Sequence, residues 1–127
     1  MKSRESVVRL KQFQVEDKRR QVTQIETMIA EFDRMSNELA AQVTAEHDRT
    51  GISDPSHFAY STFAKAASQR RDNLMASADE LRAQLDVARA ALAEAEEELG
   101  KFAALLERER DADDVGGRRG HPTALAG

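Results

Sequence analysis

His47, Asp48, Asp54 and His57 are the residues whose types most readily suggest chemistry. Two imidazoles and two carboxylates on one short stretch could in principle hold a divalent cation. Their spacing matches no ligand motif, and a zinc site demands a defined set of four donors. Polar side chains at a turn are ordinarily just hydrated. The third histidine, His121, sits in a Gly-rich stretch and is read as idle, and the absence of Cys removes thiolate ligands altogether. No G-x-x-x-x-G-K-[ST] loop is present to cradle a phosphate. Long helices offer no enclosed pocket in which a Ser/His/Asp arrangement could be desolvated. The expectation is therefore a protein that is not an enzyme, with no catalytic residues, no cofactor and no metal.

Binding chemistry is a different matter. Lys18, Arg19 and Arg20 form one basic cluster, and Arg70 with Arg71 forms another. Either could meet an anion or an acidic protein, and either could be a solvated helix face. The stretch "HDRTGISDPSHFAYSTFAKAA" carries Phe58, Tyr60 and Phe63, half of the aromatic residues of the chain. A connector needs Gly, Pro and Asp, not a Phe-Ala-Tyr-Ser-Thr-Phe run. These rings either cap the open end of a helical hairpin or form a docking patch, as clustered aromatics with little to bury against tend to do. Leu10 and Phe13 lie outside the apolar stripe of their helix and suggest a second contact surface.

The elements that must position these residues are helices. The chain has 127 residues, a third of them charged and only 5% aromatic, with no Trp. That length fits one domain, and the Ala, Leu, Glu, Arg and Gln content suits long helices or a coiled coil. From Ser3 to Arg49 there is neither Gly nor Pro. One seam position reads Val8, Val15, Val22, Ile29, Ser36, Val43, and its partner reads Lys11, Lys18, Ile25, Phe32, Leu39, Glu46. The second segment repeats the alternation through Ala64, Ala67, Arg71, Leu74, Ala78, Leu81, Leu85, Ala88, Leu92, Ala95, Leu99, Phe102 and Leu106. Spacings of three and four mark a coiled-coil stripe. The stems of Lys11 and Lys18 can lie along it while their ammonium groups reach water.

The pattern predicts an all-α fold: a long antiparallel two-helix coiled-coil hairpin over residues 1–112. Helix 1 is expected over about 3–49 with Ser3 as N-cap, a turn over 50–60, and helix 2 over about 61–112. Gly51 fits the position just past a helix end, where positive φ costs nothing without a Cβ. Asp54-Pro55 reads as the opening of a new helical turn, and Ser61 as another N-cap, so helix 2 starts at one or the other. Each helix would be roughly 65–70 Å long. Gly116, Gly117, Gly120 and Pro122 predict a disordered tail over 113–127.

Charge agrees with a fold-back. The net charge is −4, so nucleic acid is not the expected partner. Residues 1–20 are basic and residues 94–114 acidic. Antiparallel pairing sets one against the other, offsetting an arrangement that each helix dipole alone would disfavour. Folding about residues 52–55 brings Phe32 near Leu74 and Ala78, and Val15 near Leu92 and Ala95. No apolar run is long enough for a membrane span, and the start lacks the apolar core of a secretory signal.

The phrases "SVVRLKQFQVEDKRRQVTQIETMIAEFDR", "GISDPSHFAYSTFAKAASQRR" and "SADELRAQLDVARAALAEAEEEL", in that order, resemble the flagellar export protein FliJ family. The resemblance covers about residues 1–112. It implies a coiled-coil stalk of the bacterial flagellar type III export apparatus, cytoplasmic and peripheral to the inner face of the membrane. Its implied partners are the hexameric export ATPase, the export gate membrane protein and export chaperones, with no direct membrane insertion. The end bearing the termini is expected at the ATPase ring, and Arg9, Leu10, Lys11, Phe13, Lys18, Arg19 and Arg20 are the candidate contacts there. Phe58, Tyr60 and Phe63 are the candidate patch at the opposite end. Where the family continues helix 2, this chain reads "GGRRGHPTALAG". The alternative is a general coiled-coil adaptor or oligomerising chaperone.

Overall fold

The structure, a computed structural model, describes the backbone of residues 2–126 and the side chains of residues 3–116. It contains two helices, α1 over Lys2–Thr50 and α2 over Thr62–Ala126. They form an antiparallel hairpin, as the heptads predict.

Burial follows the predicted stripe. Val8, Val15, Val22, Ser36 and Val43 are buried on α1; Ala64, Ala67, Ala78, Leu81, Leu85 and Leu106 are buried on α2. Every other predicted seam position is half-buried. Small alanines on α2 leave room for the valines of α1, so one narrow stripe per helix can close without a thick core. A buried Val or Leu contributes roughly 1.5–3 kcal/mol relative to exposure, and α1 draws on four valines spaced a heptad apart or multiples of it.

The contacts fall into two units, one of Met1–Gln21 with Ala88–Gly127 and one of Val22–Val87. In the first, Arg4 pairs with Glu109 at 2.8 Å, Lys11 with Glu98 at 2.9 Å and Arg110 with Glu5 at 3.4 Å. The basic start of α1 thus faces the acidic end of α2, with one pair of reversed sense. In the second, Arg82 reaches Asp33 across the helices at 2.6 Å. That bridge joins the residue after Phe32 to a position four residues beyond Ala78, on the far side of Ala78 from Leu74.

Three boundary expectations change. The helix is already formed at Lys2, so Ser3 lies inside its first turn and not at the cap. Pro55 does not open a helix: His57 N–H donates to the Asp54 carbonyl at 3.1 Å, closing a turn with Pro55 as its second residue. α2 also runs past its expected end near 112. Residues 111–116 are exposed, and Leu106, Glu109 and Arg110, which hold α2 to α1, lie before the expected end. The rest of the expected tail, 117–127, lies outside the residues whose side chains are described.

Candidate functional site: the turn and the charged groove

The turn is built from local hydrogen bonds. Gly51 has φ +71°, and its N–H donates to the His47 carbonyl at 2.8 Å, which ends α1 in a left-handed cap. Thr50 Oγ1 donates to the Glu46 carbonyl at 3.0 Å and accepts from Ile52 N–H at 3.2 Å. Asp54 Oδ1 accepts from Ser56 N–H at 2.9 Å and from Ser56 Oγ at 2.8 Å. The backbone bond, then the hydroxyl, hold the Asp54 carboxyl below its ordinary range. Tyr60 N–H donates to the His57 carbonyl at 3.0 Å, making a second turn directly after the first.

Ser61 opens α2. Its hydroxyl accepts from Ala64 N–H at 3.1 Å and donates to Glu46 Oε1 at 3.0 Å. One side chain therefore caps α2 and ties it to α1. Glu46 also receives Arg49, and these bonds, Arg49 first, hold its carboxyl below the usual glutamate range.

The three tip aromatics separate. The Tyr60 hydroxyl lies 2.7 Å from His47 Nε2, and the two rings meet at 5.5 Å with a tilt of 54°. Tyr60 thus closes the hairpin. Phe58 is 97% exposed and stacks only on His57, with ring centroids 4.7 Å apart. Phe63 is exposed on the first turn of α2. Capping thus describes Tyr60, whereas Phe58 and Phe63 remain exposed. The four polar residues weighed as a cation site are not brought together: His47 turns to Tyr60, Asp54 to Ser56, and His57 Nδ1 accepts from Ala59 N–H at 3.0 Å. No group of three or more His, Asp or Glu placed for a metal occurs among the described residues.

In the unit that holds the chain start, the proposed contact residues also separate. Lys11 is largely buried: its ammonium sits 2.9 Å from Glu98 and 5.3 Å from the Phe102 ring centre. Its bond to Glu98 lowers that carboxyl below the ordinary range. A seam lysine is tolerated because its stem packs and its charge finds both a carboxylate and a ring face. Arg20 turns back to Asp17 at 3.6 Å. Arg9 and Arg19 are exposed. Leu10 is 53% exposed, and Phe13 is exposed as well. Lys18 lines a groove of about 740 Å³ with Gln14 and Asp17 from α1 and Ala91, Glu94, Ala95, Glu97, Glu98 and Lys101 from α2.

No family model, curated protein or solved structure matches this chain.

Sequence reasoning missed three features. It placed Glu46 in the seam without giving it a partner, whereas Glu46 anchors Ser61. It did not pair His47, in the last turn of α1, with Tyr60, two residues before α2. It placed Ser36 in the seam without noting that its hydroxyl would be buried with no partner. Among the described residues no helix is long and apolar enough to cross a membrane.

Proposed function

We propose that this protein is a non-enzymatic coiled-coil component of a flagellar type III export apparatus, linking the hexameric export ATPase to the membrane export gate and aiding export chaperones. The observation that carries the reading is the presence of two separate exposed contact features on a two-helix fold. One is Leu10 and Phe13 beside the basic residues Arg9 and Arg19; the other is Phe58 with Phe63 at the turn. A connector between two partners needs two such surfaces, and exposed large apolar side chains are where interface energy concentrates. The ordered resemblance to the FliJ family supplies the identity of the partners. In this reading the basic start serves the ATPase, the turn serves the gate, and the protein works at the cytoplasmic face of the membrane as a peripheral component.

The test uses purified full-length chain with a flagellar export ATPase and with the soluble domain of the gate protein. The chain should raise ATP hydrolysis or ring assembly. Leu10→Asp with Phe13→Asp should abolish that effect, and Phe58→Ser with Phe63→Ser should weaken gate binding only. Neither stimulation nor binding of either partner would reject the proposal.

A further inference from the structure

The charged groove has a composition that a second copy of this chain would complete. Six charged residues line it, and four of them are already engaged. Asp17 meets Arg20, Glu98 meets Lys11, and Glu97 meets Lys101 at 3.5 Å. Lys18 and Glu94 are left: one on each helix, opposite in sign, with no ion pair or hydrogen bond among the described residues. Between them, Ala91 and Ala95 supply small side chains and therefore space.

The apolar residues flanking this groove show the same division. Leu10 stands one helical turn before Gln14, and Leu105 one turn after Lys101, so both belong to the groove's face. They are 53% and 39% exposed. Each helix of this face thus offers one exposed leucine and one unpaired charge, and the charges are complementary. A two-fold contact has a matching requirement: when residue i meets j of the second copy, j must meet i of that copy in return.

We propose that this face, within the unit of Met1–Gln21 and Ala88–Gly127, is a symmetric contact between two copies of the chain. Lys18 meets Glu94 of the second copy, Leu10 meets Leu105 of the second copy, and each contact occurs twice. An unrelated helix in the same groove would have to bring both charge signs and an apolar stripe; a second copy already carries them. The inference does not depend on the export reading. It adds that self-association and any partner using Leu10 exclude one another.

Sedimentation equilibrium on the full-length chain, from about 10 μM to about 500 μM, tests the proposal. The mass should rise toward twice that of the chain. Lys18→Glu and Glu94→Lys should each weaken the dimer about tenfold, because each removes two symmetric ion pairs and creates two repulsions. The double reversal should restore it. Leu10→Asp and Leu105→Asp, at exposed positions that leave the hairpin seam untouched, should give monomers of unchanged helicity by circular dichroism. A monomer at every concentration, a double reversal no better than either single one, or an unaltered mass in the leucine variants would each overturn the proposal.

Discussion

Ser36→Ala should stabilise this protein. Ser36 occupies a seam position in line with Val22, Ile29 and Val43, and only 6% of its surface is exposed. Its Oγ has no hydrogen-bond partner. A buried hydroxyl without a partner costs about 1–3 kcal/mol in lost hydration. The lower part of that range applies here, because an open groove lined by Asp33, Asn37, Ala40, Arg71 and Arg82 runs past Ser36. Alanine is also the better helix former, by about 0.5 kcal/mol. Against these gains stands the loss of the oxygen's packing contacts, a few tenths of a kcal/mol. The net is a gain of about 1.5 kcal/mol, or about 5 °C in Tm for a domain of this length.

Urea unfolding followed by far-ultraviolet circular dichroism is the appropriate assay. The midpoint should rise while the slope stays fixed, since the surface exposed on unfolding is unchanged. A loss of about 0.5 kcal/mol or more in Ser36→Ala would refute the reasoning, because it would mean the hydroxyl is satisfied in the folded state.

Three further outcomes follow from the turn and the ion pairs. Gly51→Ala should cost about 1 kcal/mol: no atom lies within 4 Å of the added Cβ, so the whole penalty is the positive φ, read from the urea midpoint. Tyr60→Phe should cost about 1 kcal/mol by losing its bond to His47, whereas Phe58→Ser should change stability by less than about 0.5 kcal/mol. Equal losses in these two variants would show that Phe58 also helps seal the hairpin. Stability should fall in acid. Glu98, Glu46 and Asp54 have folded pKa values below their ordinary ones, so their contribution is present above the ordinary carboxylate range. It is lost as pH drops through the lowered values, and Glu98→Gln should reduce the fall in urea midpoint between pH 6 and pH 3.

The sequence made the seam legible to the residue, and the reason is physical. A heptad is a one-dimensional signal, and burial along a two-helix pair depends on little else. Val8, Val15, Val22 and Val43 are buried because their spacing leaves them no other face. The turn was legible only in part. Gly51 announced the end of α1, but Pro55 and Ser61 were equally good starts for α2. The choice fell to Ser61 because its hydroxyl serves two helices at once, a bond to Glu46 that no local rule contains. The contact residues were the least legible. Tyr60 and Phe58 are two positions apart and chemically alike, yet one is tied to α1 and the other is bare. Only the partner across the turn, His47, separates them.

The polar members of the seam then acquire a common purpose. A valine stripe facing alanines and leucines could slide by one heptad with little loss. Lys11 cannot: shifted by seven residues, its ammonium would face Ala91 or Leu105 instead of Glu98. Phe102, under the same ammonium, would move away with Glu98. Near the turn, Glu46 with Ser61 and His47 with Tyr60 impose the same demand from the other side. These groups contribute little net stability, since an ion pair or hydrogen bond mostly replaces contacts with water. Their effect is on the alternatives, in which a charge or hydroxyl would be buried without a partner at a cost of about 1–3 kcal/mol each. Ser36 has no such partner, so its removal should strengthen the seam while the register remains set by Lys11 and the turn.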